Sequence, residues 1–257
     1  MITRSGNPPP KLGWNWVIDF TCRSVNDGNT LGVIATSSNF NYTDDLYTET
    51  NISELDVLPL PYLFRSFDAM PPLEQLALKT ADGKILDVGG GAGSLSLYLQ
   101  ESGNEVTGID ISVGAIKVCK LRGLTKVKAI DILQLNEEKF DTILLLMNGT
   151  GIFQKLDYVS NYLQHLKKLL AKNGQILIDS TDLRYMYDQG DQEGSILVPA
   201  GNYYGELEFT IHYKEFKSEL FDWLYLDPKT FKKLANKNGL SFEVIGNGKN
   251  YDYLAKL

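Results

Sequence analysis

Glycines are concentrated directly after a short apolar run in Ile85-Leu86-Asp87-Val88-Gly89-Gly90-Gly91-Ala92-Gly93-Ser94. Glycine tolerates positive φ angles and allows the main chain to approach a bound molecule closely. A helix that begins near Ser94 would direct its unpaired N–H groups to the same place. This stretch therefore predicts a strand, a ligand-binding turn and a helix, with Asp87 as an acid at the end of the strand.

The spacing of the glycines narrows the choice of ligand. The dinucleotide fingerprint requires Gly-x-Gly-x-x-Gly, but the sixth position counted from Gly89 is Ser94, and counted from Gly91 it is Ser96. A second acid, Asp110, ends the next predicted strand, 17 residues after Gly93. A carboxylate at this position can accept hydrogen bonds from both hydroxyls of a ribose. NAD enzymes place an acid there too, so Asp110 indicates a nucleoside ligand without choosing one.

The pattern Asp-x-Gly-x-Gly-x-Gly, formed by Asp87, Gly89, Gly91 and Gly93, resembles the first motif of the class I S-adenosylmethionine (SAM) dependent methyltransferases, and Asp110 matches their second motif. The resemblance extends over residues 50 to 257 and implies SAM as the cofactor. It also implies that Asp131 accepts from the exocyclic amine of adenine and that Ile132 packs on the ring. The cofactor-binding residues that it implies are Asp87, Gly89, Gly90, Gly91, Gly93, Asp110, Ile111, Asp131, Ile132, Met147 and Asn148.

The elements around these motifs predict an α/β fold. Strand and helix patterns alternate from residue 85 to residue 180, which is typical of a doubly wound, mostly parallel sheet. The last two predicted strands, 241–245 and 251–256, are separated by five residues. A parallel crossover needs a dozen or more residues, so these two strands must form an antiparallel hairpin. A seven-stranded sheet with an antiparallel last strand is also what the methyltransferase resemblance implies, and the dehydrogenase sheet lacks that strand.

The chain divides into two predicted parts. Residues 1–50 are rich in Asn, Thr, Ser, Gly and Pro, and we expect an irregular N-terminal extension there. Residues 51–257 form the methyltransferase domain. Within it, 181–226 interrupts the alternation of strands and helices, and apolar and polar residues alternate in Tyr203–Tyr213, as in a half-exposed strand. We expect a β-hairpin insertion that covers the substrate.

No single catalytic group is selected by the sequence. The sulfonium methyl group is already a strong electrophile, so alignment of the nucleophile can supply roughly 7–11 kcal/mol of the barrier. A general base is optional and adds roughly 10²- to 10⁴-fold. The catalytic candidates are Asn148, His212 and Tyr187. The candidates for the substrate pocket are Tyr62, Arg65, Asp182, Arg184, Tyr203 and Tyr204, and Arg65 is also a possible partner for the methionine carboxylate of SAM.

Charge and composition restrict the acceptor. The net charge of −7 and the isoelectric point of 5.0 argue against nucleic acid or an anionic membrane as the partner. Methyltransferases of exocyclic base amines resemble one another in an Asn/Asp-Pro-Pro-aromatic motif, whereas Asn148 is followed by Gly-Thr-Gly. We therefore expect a small-molecule acceptor that is methylated on oxygen or nitrogen. A protein or peptide methyltransferase and a SAM-binding protein without turnover are the alternatives.

The cysteines and the lengths of the apolar segments indicate where in the cell the protein is located. Cys22 and Cys119 are too few and too far apart to indicate a disulfide framework or a metal site. The first residues lack the apolar segment of a signal peptide, and the longest apolar run, Ile143–Met147, is too short to span a bilayer. We expect a cytoplasmic protein without a metal; the oligomeric state is not predicted.

Overall fold

The computed structural model describes residues 45–136, 138–187 and 201–257. The strands in these ranges are β1 (Leu46–Thr50), β2 (Ser53–Leu58), β3 (Lys84–Val88), β4 (Glu105–Asp110), β5 (Val127–Ala129), β6 (Phe140–Leu145), β7 (Leu170–Thr181), β8 (Glu206–Tyr213), β9 (Phe216–Lys217), β10 (Phe221–Leu224), β11 (Glu243–Asn247) and β12 (Asp252–Lys256). The α-helices are α1 (Pro72–Thr80), α2 (Ser94–Glu101), α3 (Val113–Leu121), α4 (Val159–Leu169) and α5 (Pro228–Lys237).

The larger sheet has seven strands in the order β11-β12-β7-β6-β3-β4-β5. Strands β3 to β7 run parallel, whereas β12 is antiparallel to both β7 and β11. The predicted doubly wound sheet with an antiparallel last strand is thereby confirmed. Parallel order brings the carboxyl ends of β3, β4, β6 and β7 to one edge, where such sheets bind ligands.

The core lies between the sheet and its helices. Ile143 of β6, Ile176 of β7, Leu163 of α4 and Phe231 of α5 belong to one fully buried cluster. Strands that are buried on both faces have continuous apolar sequences, and the sequence of β6 follows this pattern. Among the described residues, no helix combines the length and the apolar character that crossing a bilayer requires.

The smaller sheet contains the predicted hairpin. Strands β8 and β10 pair antiparallel, with Phe209 opposite Phe221. However, β8 also pairs with β1, so the sheet order is β10-β8-β1-β2 and the hairpin is part of a larger sheet. A two-stranded hairpin is at best marginally stable in water, and the additional strands let this one bury its inner face.

The N-terminal prediction needs one correction. Irregular structure was expected up to residue 50, but Leu46–Thr50 forms strand β1. Leu46 and Thr48 of this strand are buried, and five alternating residues are too short a pattern to stand out in the sequence. Residues 1–44, which include Cys22, lie outside the described residues, and the division at residue 50 stays a prediction.

The two sheets meet where the segment after β6 passes under β10. Trp223 of β10 is 2% exposed and lies against Gly151, where an added Cβ would be 1.8 Å from the indole ring. The hydroxyl of Thr150 donates to the carbonyl oxygen of Leu224 at 2.9 Å. The small sheet is therefore fixed to the edge at which the parallel strands end.

Candidate functional site

The glycine turn has the backbone geometry that its composition predicts. Gly89, Gly91 and Gly93 have φ angles of +72°, +52° and +80°, a region that L side chains rarely adopt. At Gly93 a Cβ would also lie 2.5 Å from Leu124, so glycine is required there for two reasons. The N–H groups of Gly89 and Gly90 both donate to the carbonyl oxygen of Ile109, at 2.9 and 3.1 Å, and this ties the turn to β4.

Asp110 joins the turn to the end of β4. Its Oδ2 accepts from the N–H of Gly91 at 3.0 Å, and its Oδ1 accepts from the N–H of Ser112 at 2.8 Å. Burial raises the pKa of Asp110 to about 6, while these two N–H groups lower it. Each carboxylate oxygen has more than one acceptor position, so both can still accept from ligand hydroxyls.

A cavity of about 230 Å³ opens beside Asp110. Five of the predicted cofactor-binding residues line it together: Gly89, Asp110, Ile111, Asp131 and Ile132. The Oδ1 of Asp131 accepts from the N–H of Leu133 at 2.9 Å, which fixes this carboxylate at the start of a short 3₁₀ turn. The structure therefore brings together the two acids to which the resemblance assigns ribose and adenine.

The far wall of the cavity was not predicted. The lining residues that sequence reasoning missed are Val88, Ile109, Ile130, Ile152, Gln154, Tyr162, Glu219, Leu220, Phe221 and Asp222. An ion pair of 3.3 Å between Lys155 and Asp222 joins two segments of this wall. The contact links residues that are far apart in the chain, so no local spacing indicates it. Residues 219–222 of the predicted insertion thus line the same cavity as Asp110 and Asp131.

The remaining predicted cofactor residues lie outside this lining. Asp87 is buried and accepts from the hydroxyl of Ser96 at 2.6 Å, and burial raises its pKa to about 6. Gly90, Gly91 and Gly93 form the turn itself. Met147 and Asn148 follow β6 at the same edge of the sheet, and their contact with a cofactor stays a prediction.

The three catalytic candidates occupy different surroundings. Asn148 is buried, and its Oδ1 accepts from the hydroxyl of Thr181 at 2.9 Å. His212 of β8 pairs with Glu49 at 3.0 Å and is not among the residues that line the cavity. The hydroxyl of Tyr187 donates to the carbonyl oxygen of Tyr204 at 2.9 Å. A catalytic role for any of the three stays a prediction.

The candidates for the substrate pocket form two groups. Before α1, the buried Arg65 donates from Nε to Glu74 at 3.1 Å and from Nη1 to the carbonyl oxygen of Tyr62 at 2.7 Å. After β7, Tyr204 donates to Asp182 at 3.0 Å, and Arg184 donates to the same carboxylate at 2.9 Å. Tyr203 instead donates to Asp227, at 2.7 Å. Assignment of either group to a substrate stays a prediction.

Sequence reasoning also missed Asp179, which follows Ile176-Leu177-Ile178 in β7. This acid is 3% exposed, and its carboxylate accepts from the backbone N–H groups of Met147 and Gly149. An acid that directly follows a buried apolar run was the available signal, because burial of a charge requires specific partners.

Comparison with known proteins agrees with this geometry. The family model described as a methyltransferase domain matches residues 64–243. The crystal structure of a SAM-dependent methyltransferase from Bacteroides fragilis, in complex with S-adenosyl-L-homocysteine (SAH), is 40% identical, with a TM-score of 0.79 over 88% of this chain and 91% of that chain. A Pyrococcus horikoshii protein, 24% identical with a TM-score of 0.54 over 72% of this chain and 86% of its own, shares the fold.

Curated relatives match a shorter part of the chain. A ubiquinone biosynthesis O-methyltransferase from Histophilus somni is 30% identical over 122 residues, which are 42% of this chain and 49% of the relative. A relative with the same name from Pasteurella multocida is 32% identical over 115 residues, or 38% and 46% of the two chains. The chain thus spans about half the length of the curated relatives that it matches. The family model and the Bacteroides fragilis structure together show that the chain belongs to the class I SAM-dependent methyltransferases.

Proposed function

We propose that this protein binds SAM and transfers its methyl group to an oxygen or nitrogen atom of a small molecule by in-line displacement. The observation that carries the proposal is the position of Asp110. Its carboxylate is bonded to the glycine turn through Gly91 and lines one cavity together with Asp131 and Ile132. A carboxylate for the ribose, an acid for the adenine amine and an apolar side chain for the ring are the groups that adenosine requires.

Methyl transfer from SAM requires little of the protein beyond binding and orientation of the two reactants. Bound SAM supplies the electrophilic methyl group. The residues of this chain hold the nucleoside, exclude water and position the acceptor so that its nucleophile can be aligned with the methyl group. A general base would add to the rate without being required.

Two observations support a small acceptor. The curated relatives are named as O-methyltransferases of ubiquinone biosynthesis, and the net charge of −7 disfavours a nucleic acid. The cytoplasmic location expected from the two cysteines stays a prediction.

A screen with methyl-labelled SAM tests the transfer. The protein is incubated with pooled small metabolites and, separately, with proteins and peptides, and labelled products are counted. We expect label in a small molecule and much less with Asp110→Ala. Label only in peptides would favour the protein methyltransferase, and binding without any label in either pool would favour a SAM-binding protein without turnover.

Gly91→Val is expected to abolish SAM binding. A Cβ at Gly91 meets nothing within 4 Å, so a side chain there would project from the turn into open space, in which we place the cofactor. Its φ of +52° adds backbone strain on the order of 1–3 kcal/mol for a β-branched residue. Titration calorimetry with SAM checks the loss of binding. Gly103→Val is the matched control, because Gly103 also has a positive φ and open space around an added Cβ but lies outside the turn. A retained thermal shift with SAM in Gly91→Val would contradict the assignment of the turn.

SAM affinity is also expected to fall on acidification below about pH 6, where Asp110 becomes protonated and loses acceptor capacity. Protonation of Asp110 has the opposite effect on the stability of the fold. Since the folded-state pKa lies above the ordinary value of 3.8, this group raises the free energy of unfolding as the pH falls from 6 towards 4. Calorimetric titrations and thermal melts at the same pH values would separate the two effects. A SAM affinity that does not change across this range would contradict the role of Asp110.

A further inference from the structure

The chain makes a strained turn where β6 ends. Met147 and Asn148 are consecutive non-glycine residues with φ angles of +68° and +59°. Side chains with a Cβ rarely adopt this left-handed conformation, and it persists only when the surroundings hold it. The turn leads into the 3₁₀ segment Gly149–Phe153 at the carboxyl edge of the sheet.

The side chain of Asp179, on the neighbouring strand β7, faces this turn. Its Oδ2 accepts from the N–H of Met147 at 3.1 Å, and its Oδ1 accepts from the N–H of Gly149 at 2.9 Å. The N–H of Asn148 also bonds to this carboxylate. Three successive backbone donors thus converge on one buried side chain.

The two residues that follow Asp179 complete the connection. The hydroxyl of Ser180 lies 2.7 Å from the hydroxyl of Thr150, and the hydroxyl of Thr181 donates to the Oδ1 of Asn148 at 2.9 Å. These contacts fix the path of the chain after the turn. The backbone of the turn itself is bonded by Asp179.

We propose that Asp179 is a positioning residue whose ionised carboxylate holds Met147 and Asn148 in the left-handed turn, and that this turn completes the SAM site. The inference rests on the proposed function, because Met147 and Asn148 are predicted cofactor contacts. An ionised carboxylate has acceptor positions for three N–H donors, whereas a protonated acid or an amide turns part of its surface into a donor. Loss of the charge should therefore release the turn.

The charge of Asp179 can change near neutral pH. Burial raises the pKa of Asp179 to about 7, against the N–H groups of the turn, which lower it. The ionisable groups that face it are Glu74 of α1, Tyr62, Tyr225 and Tyr253. Burial raises the pKa of each of these phenols, so they stay neutral in this range. The carboxylate of Glu74 is paired with Arg65.

The contribution of Asp179 to stability does not explain a loss of SAH affinity at lower pH. The folded-state pKa of Asp179 lies above the ordinary value of 3.8, so this group raises the free energy of unfolding as the pH falls from 7 towards 4. A loss of affinity in that range is therefore separate from any loss of fold caused by Asp179.

The test compares SAH affinity in the wild-type chain and in Asp179→Asn by calorimetry across the neutral range. At about pH 8 we expect the variant to bind roughly 10- to 100-fold more weakly, because the turn loses hydrogen bonds to a charged acceptor and each tenfold change in affinity corresponds to about 1.4 kcal/mol. At about pH 5.5 the wild-type acid is protonated, so the ratio of the two affinities should approach 1. Titration of Asp110 affects both proteins and cancels in the ratio. Asp141→Asn, at the opposite end of β6, removes an acid that accepts from the N–H of Lys84 at 2.8 Å and should give a ratio near 1 throughout.

The outcomes are distinct. A ratio that is the same at every pH would indicate a purely structural role and overturn the inference, as would equal affinities at pH 8. Absence of SAH binding by the wild-type chain would overturn the proposed function itself. If Asp179→Asn does not fold, nuclear magnetic resonance of the wild-type chain provides the test. The amide protons of Met147 and Gly149 should then shift with pH at the same midpoint as a step in SAH affinity. Amide shifts without such a step in affinity would contradict the proposal.

Discussion

Asp110→Ala is expected to weaken SAM binding by at least roughly 100-fold, because a hydrogen bond to a charged group contributes about 1.5–3 kcal/mol and the ribose offers two hydroxyls. The effect on folding should be smaller. The N–H groups of Gly91 and Ser112 lose their acceptor, but a buried carboxylate with a raised pKa is removed at the same time. Titration calorimetry with SAM and thermal melts of the free protein measure the two effects separately.

Glu105→Gln is the matched control for this prediction. Glu105 lies at the opposite end of the same strand, β4, and is exposed. Its ion pair with Lys126 is an exposed surface pair of 2.9 Å, whose loss should change stability little. Equal SAM affinity in Asp110→Ala and the wild-type chain would refute the ribose assignment, whatever the control shows.

Gly151→Ala should be the most destabilising single-methyl substitution at the junction of the two sheets. The new Cβ would lie 1.8 Å from the indole of Trp223, a large side chain that is only 2% exposed. Overpacking of a buried site typically costs about 1–3 kcal/mol and occasionally more, and we expect about 3 kcal/mol here. For a chain of this size that corresponds to a fall of roughly 6–12 °C in melting temperature.

A double-mutant cycle identifies the cause. In a Trp223→Ala background the added methyl group has space, so Gly151→Ala should then cost much less than it does alone. Gly151 does not have a positive φ, so backbone strain of that kind does not contribute to the loss. Additive effects of Gly151→Ala and Trp223→Ala would show that the indole contact is not the reason for the loss.

Much of the fold is predictable because its signals are local. The apolar run of β6 indicates a strand buried on both faces, and five residues between the last strands force an antiparallel hairpin. Asp110 is predictable for a similar reason, since it ends the strand that follows the glycine turn, 17 residues after Gly93. The structure confirms the seven-stranded sheet and places Asp110 against Gly91.

The missed features depend on contacts between distant parts of the chain. Strand β1 exists because Leu46–Thr50 pairs with β2 and β8, and five residues alone carry too weak a pattern to reveal this. The ion pair between Lys155 and the lining residue Asp222 joins segments that are separated by α4 and β7. Asp179 could have been noticed as an acid next to a buried apolar run, but its partners at Met147 and Gly149 are visible only in three dimensions.

Calorimetric titration of the wild-type chain with SAM, SAH and NAD tests the central claim most directly. We expect SAM and SAH each to bind at one site, since both present adenine and ribose to Asp131 and Asp110 beside the glycine turn, and we expect NAD to bind much more weakly. NAD binding as tight as that of SAH, or no binding of SAM and SAH, would contradict the assignment of this site to the methyl donor.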